Sequence, residues 1–183
     1  DLDAPVPISF KDPHWGERTA PVTLVEFSDL QCKHCATLHK AIGELRAAGF
    51  GPDKLRVVWK HFPLPSHDRG REAALAAQAV YQTAKSEAFV SFINSAFGSG
   101  TSELYDFEIE SWAREAGIKR PADYFKLRDS PETAKKIDDD IALGKSLGVR
   151  GVPSFFVNGR PFKGAHSAEK LRPILEERLA LIV

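Results

Sequence analysis

The chain has 183 residues, 43% of them apolar and 27% charged, which is enough for one domain with a hydrophobic core and is ordinary for a folded globular protein. Lys+Arg and Asp+Glu both total 25, so no overall field favours nucleic acid or an anionic membrane surface. No apolar run approaches the roughly 18 to 20 residues that cross a bilayer, and DLDAPVPISF at the start has neither the basic n-region nor the apolar h-region expected of a signal peptide. A chain without methionine is expected to be processed or excised, as signal-peptide removal would leave it.

The first 21 residues carry Pro5, Pro7, Pro13 and Pro21 and read as an extended arm, with at most a short edge strand near Val6 to Ser9. VTLVEFS, Val22 to Ser28, is apolar and β-branched enough for a buried strand. A helix starts near Cys32, because Cys35, Leu38, Ile42 and Leu45 recur at helical steps before Gly49 and Gly51 stop it. LRVVWKHF, from Leu55, supplies a second strand, so the three elements predict a parallel βαβ unit.

From Asp68 to Leu147 the pattern turns helical. Helices are expected near Arg71 to Lys85, Ala88 to Phe97 and Phe107 to Ala116, followed by a short turn near Ala122 to Leu127. SPET then caps a longer helix, with Ser130 at the cap and Pro131 at the first helical position. In SFFVNGRPF the pair Asn158-Gly159 supplies the positive φ angles of a tight hairpin. A last helix runs from about Ala168 to Leu181 behind Ser167, and Pro173 is expected to bend it. The organisation is a βα core, a helical insertion of about 80 residues, and a ββα end.

Both cysteines lie in QCKHC, directly after the first strand. Such a pair can be a staple, part of a metal site, a chance pair of reduced thiols or a reaction centre. A disulfide over two intervening residues closes too small a loop to stabilise the fold much. Zinc needs four ligands, and His34, His39, His61 and His67 form no paired-ligand motif. A thiol at a helix start meets free backbone N–H groups and the positive end of the helix dipole, which favour thiolate. Cys32 is therefore the candidate nucleophile, exposed at the helix start. Cys35, one turn in on the apolar side, suits the resolving role, and His34 can donate to the Cys32 sulfur or neutralise it.

Two further features have more than one reading. Glu26 and Lys60 each alternate with apolar neighbours on what should be adjacent strands. Either they reach water at strand ends, or they pair beneath the helix start and hold protons for Cys35. Pro153 in GVRGVPSFFVNG is an ordinary edge signal by itself. Beside a CxxC, a cis peptide at Val152-Pro153 would turn the Val152 backbone outward to pair with an extended polypeptide. Trp15, Trp59 and Trp112 read as packing residues, and Asp138 to Asp140 as a solvated helix face.

VTLVEFSDLQCKHC, VVWKHFPLPSH and GVRGVPSFFVNGRPFKGA, with their spacing, resemble the DsbA-like thiol:disulfide oxidoreductases of the thioredoxin superfamily, from Val22 to Leu179. The resemblance implies an α/β thioredoxin-like fold, residues 1–67 and 148–183, interrupted by a helical subdomain at 68–147. It implies that Cys32 attacks, Cys35 resolves, Val152-Pro153 is the cis-proline element and Glu26 with Lys60 is a buried acid-base pair. Lys33 stands where the best-known oxidases have proline; its charge should favour the thiolate, and it bears on the direction of electron flow. The expected activity is a dithiol oxidase acting on reduced or misoxidised protein substrates in the periplasm or another extracytoplasmic compartment. The redox-active disulfide would be its only cofactor, no metal is expected, the partner that resets it would be membrane-bound and quinone-linked, and the protein would be a monomer. A reductase or isomerase of the same fold, or a redox-inert peptide-binding module, are the alternatives.

Overall fold

The computed structural model describes residues 4–100 and 103–182. Among these, five strands form one sheet in the order β1-β3-β2-β4-β5: β1 His14–Trp15, β2 Val22–Ser28, β3 Leu55–His61, β4 Ser154–Val157 and β5 Arg160–Lys163. β2 and β3 run parallel, with Val22 opposite Leu55 and Ser28 opposite His61, joined by α1 Lys33–Ala47. β4 pairs antiparallel with β2, and the Asn158-Gly159 turn, with φ of 47° and 89°, returns the chain into β5. Pro161 is tolerated because β5 is the edge, where a missing N–H disrupts no inner ladder.

β2 is buried nearly throughout because both faces of the sheet are covered. On one face Val22, Leu24, Val57 and Phe155 pack against Leu38 and Ile42 of α1 and Leu171 and Leu175 of α6, Ala168–Ala180. On the other, Val25, Phe27, Val58 and Phe62 pack with Val6 and Val149. There α5, Pro131–Ser146, comes so close that a Cβ on Gly144 would meet the Phe62 ring at 2.6 Å. α2 Gly70–Gly98, α3 Asp106–Glu115 and α4 Pro121–Arg128 form a third layer around Phe89, Phe92, Ile93 and Tyr124, and Trp59 of β3 is buried in that same cluster. No helix among the described residues is long and apolar enough to cross a membrane.

Several expectations change. No strand forms at Val6 to Ser9; Val6 is buried among core side chains, and Pro5 and Pro7 have no N–H to offer a ladder. The edge strand is instead His14–Trp15, antiparallel to β3, and the first three residues of the expected arm lie outside the described residues. The two helices predicted over Arg71 to Phe97 are one element broken at Lys85, whose φ of 68° and ψ of −161° are not helical. The turn expected near Ala122 to Leu127 is the helix α4, with Pro121 in its first turn, Asp123 following, and Lys126 and Arg128 at its negative end. Ser130 and Ser167 cap α5 and α6 by accepting the backbone N–H groups of Thr133 and Lys170.

Asp138 to Asp140 is not a uniformly solvated face. Asp140 is buried and pairs with Lys136 at 2.6 Å, while Lys136 and Lys60 reach Asp12 at 2.8 and 2.7 Å. This buried cluster of two cations and two anions ties the N-terminal arm, β3 and α5 together.

Candidate active site

Cys32 is the N-cap of α1, in extended conformation with φ −98° and ψ 118°. The cap position leaves the first helical N–H groups free, and those of His34 and Cys35 turn to the Cys32 sulfur. The Cys35 thiol beside it is the largest influence and these N–H groups add to it, while burial and the Asp29 carboxylate oppose them. The outcome holds Cys32 well below the usual thiol range, at about 6. Burial and the neighbouring Cys32 sulfur push the Cys35 thiol far up, offset in part by the adjacent Ser28 hydroxyl and by the Asp29 N–H, 3.4 Å from Cys35 Sγ. Both cysteines are free thiols here, so the two sulfurs stand as an unequal pair, one readily ionised and one held protonated.

Cys32 is less open than its place at a helix start suggested. Only 7% of the residue is accessible, and it opens into a cavity of about 500 Å³ lined by Leu30, Lys33, His34, His67 and Phe97. Lys33 and His34 are themselves exposed at its rim. Across the site the Val152-Pro153 peptide is cis, and the Cys32 thiol is 3.9 Å from the Val152 carbonyl oxygen that accepts from it. A larger cavity of about 640 Å³ between α1 and α2, around Trp15, Arg46 and Glu87, does not include either cysteine. Among the described residues, no group of three or more His, Cys, Asp and Glu side chains is placed to hold a metal ion.

The expected Glu26–Lys60 pair does not form. The parallel register sets Glu26 opposite Trp59 and Lys60 opposite Phe27, so the two side chains leave opposite faces of the sheet. Lys60 belongs to the Asp12 cluster, with its ammonium 2.7 Å from Asp12 and 4.0 Å from Asp140. Glu26 points under α1, fully buried, and neither carboxyl oxygen has a hydrogen-bond partner among the described residues. Burial alone pushes its carboxyl up to about 8. It lies one pleat before Ser28 on the same face of β2, toward Cys35.

Two residues without an assigned part in the sequence reading also border the site. Asp29, between β2 and α1, is buried; its carboxylate accepts from the backbone N–H groups of Gln31 and Leu64 at 2.9 Å each and from His67 Nδ1 at 2.7 Å. His67 reaches the Cys32 cavity from the loop after β3. No local motif announces this contact, since 38 residues separate the pair.

The sequence matches the family described as thioredoxin over residues 9–177. Among solved structures, the thiol-disulfide exchange protein alpha-DsbA2 of Wolbachia pipientis is 26% identical with a TM-score of 0.80, the alignment covering 92% of this chain and 87% of that one. A periplasmic thioredoxin-like protein from Salmonella enterica serovar Typhimurium has the same fold, with a TM-score of 0.80 at 20% identity over 93% of this chain and 91% of its own. Among curated relatives, the Na(+)/H(+) antiporter NhaA of Herminiimonas arsenicoxydans is 32% identical over 161 residues, 88% of this chain. The chain spans about a quarter of the length of such antiporters. An unequal cysteine pair on a thioredoxin sheet, matched by sequence almost from end to end, leaves one assignment: the chain belongs to the thioredoxin family, on its DsbA-like branch.

Proposed function

We propose that the protein is a dithiol oxidase that passes a Cys32–Cys35 disulfide to reduced or misoxidised proteins in the periplasm or an equivalent extracytoplasmic compartment. The observation that carries this reading is the Cys32 thiol held at about 6. A thiolate stabilised at working pH favours the dithiol form, so the disulfide form is the better oxidant, by about 30 mV for each unit below neutrality.

In this reading a substrate thiolate attacks Cys32 Sγ of the disulfide, and Cys35 leaves with the bonding electrons. Buried Cys35 cannot persist as an anion, and in this reading Glu26, protonated at neutral pH and buried on the same face of β2, supplies its proton. A second substrate thiol then displaces Cys32, whose thiolate departs into the N–H groups of His34 and Cys35. The exposed His34 and Lys33 border the entrance. In the same reading the Val152 backbone, next to the Cys32 sulfur, pairs with an extended substrate chain. The disulfide serves as the only redox group, and a membrane quinone-linked partner regenerates it. Equilibration of the protein with glutathione buffers tests the reading: a potential well above that of thioredoxin, about −270 mV, supports an oxidase, and one at or below it assigns a reductase.

The quarter-length matches to antiporters favour a second arrangement, in which the same exchange domain is one module of a longer membrane protein. The Cys32 chemistry is unchanged in that arrangement, and its substrates would be cysteines near the membrane.

A further inference from the structure

His67 is an imidazole built into the wall of the Cys32 cavity. Its Nδ1 is 2.7 Å from Asp29 Oδ2. A carboxylate can only accept, so Nδ1 carries the hydrogen and the neutral ring presents its lone pair at Nε2. Asp29 is held as firmly as its partner. Its side chain has no accessible surface, two backbone N–H groups donate to it, and the first residue of α2 presses so close that a Cβ on Gly70 would meet Oδ1 at 2.8 Å. The neighbours of His67 in the chain are occupied elsewhere: Asp68 accepts from Gln31, and Arg69 donates to the Leu104 carbonyl and to Asp106. His67 keeps 28% of its side chain accessible, on the cavity that also holds Cys32, Lys33 and His34.

We propose that His67 is a further catalytic residue, the general base for the incoming substrate thiol, and that Asp29 is its positioning residue. The proposal rests on the oxidase reading above. Substrate R–SH gives its proton to His67 Nε2 while its sulfur forms a bond to Cys32 Sγ. The Cys32–Cys35 bond breaks, its electron pair leaves on Cys35, and Cys35 takes up a proton from Glu26. The second substrate thiol loses its proton to solvent and bonds the first substrate sulfur, the bond to Cys32 breaks and Cys32 leaves as thiolate, so the substrate loses two electrons and the enzyme gains them. The need for a base is quantitative. A thiol of ordinary pKa, about 8.5, is only about 3% thiolate at pH 7, so assisted deprotonation can raise its rate by at most roughly 30-fold. A thiol that is already ionised gains nothing.

That difference is the test. The oxidised protein and its His67→Gln variant are reacted at pH 7 with small thiols whose pKa values run from below 7 to above 9, and Cys32 is titrated in both reduced proteins. The variant is expected to slow the weakly acidic thiols about 10- to 30-fold, to leave the ionised ones within about twofold, and to leave the Cys32 titration in place. Equal slowing across the series, no slowing, or a displaced Cys32 titration overturns the proposal. If His67→Gln does not fold, His67→Ala with added imidazole carries the test, since the free base should restore only the weakly acidic thiols. A wild-type protein that oxidises no thiol in the series refutes the oxidase reading instead, and the two failures are thereby distinct.

Discussion

The two faces of the β2-β3 pair treat buried charge in opposite ways. On the α5 face Lys60, Lys136, Asp12 and Asp140 are buried together, each ion within 2.8 Å of an opposite one, and the His61 N–H also donates to Asp140. On the α1 face Glu26 is buried alone, with no partner among the described residues. Burial costs several kcal/mol per ion, and only close pairing offsets it, so the first face remains charged and the second remains neutral by keeping a proton. The paired face fixes where the helices join the sheet. The unpaired face lies under the cysteines, where a group that can give up a proton near neutral pH has a chemical use.

Removing Lys60 should have the largest effect. Lys60→Met leaves Asp12 and Asp140 sharing one cation, and the loss is expected at about 3 to 5 kcal/mol in urea denaturation at neutral pH. The Cys32 titration should not move, because Lys60 leaves the opposite face of the sheet. A variant with near-normal stability and a displaced Cys32 titration would restore the acid-base pair that the register rules out.

Glu26→Gln should act more mildly and in the other direction. The Glu26 carboxyl is raised from 4.5 to about 8 by burial, so between these values the folded state keeps a proton that the unfolded chain releases. Stability therefore falls as pH rises through this window, by up to about 1.4 kcal/mol per unit, and levels off above pH 8. At pH 7 the penalty approaches 3 kcal/mol, of which the buried amide of Gln gives back roughly 1 to 3 by its own unmade hydrogen bonds. The net gain at pH 7 is small, and the informative result is a flattened stability profile between pH 5 and 8. A wild-type profile already flat over that range would mean that Glu26 has a partner.

Glu26 and Lys60 also show where the sequence stops being legible. In LVEFS and VVWKHF each charged residue stands between apolar neighbours, and both read as buried strand residues, which they are. Whether they meet depends on strand register, and an offset of one residue exchanges the faces. The partners Lys60 does find are 48 residues before it and 80 after it, brought in by the arm and by α5. Asp29 and His67 are hidden for the same reason. Features fixed by neighbours along the chain were readable: the Cys32 helix start, the Ser130 cap and the Asn158-Gly159 turn each depend on a few consecutive residues. α4 was missed although Pro121, Asp123 and Arg128 have the polarity of a helix, because among its eight residues only Tyr124 is fully buried and the apolar periodicity is too short to register.

Lys33 should have the smallest effect, and its smallness extends the contrast from buried charges to exposed ones. By composition the CKHC centre suggests that the lysine tunes the thiolate, since a cation adjacent in sequence is an obvious stabiliser. The largest influences on Cys32 are the Cys35 thiol, burial, two backbone N–H groups and the Asp29 carboxylate, and Lys33 does not rank with them. The lysine side chain is exposed at the rim, where water and salt screen its charge within about 10 Å. Lys33→Ala is accordingly expected to raise the Cys32 pKa by only a few tenths of a unit in dilute buffer, and by less at high salt. Thiolate absorbance across a pH titration at two ionic strengths measures both. A shift of a full unit that survives high salt would show the ammonium folded over the sulfur and out of water, and would make the residue between the cysteines, rather than the Cys35 thiol and the backbone of the helix start, the principal control on the redox potential.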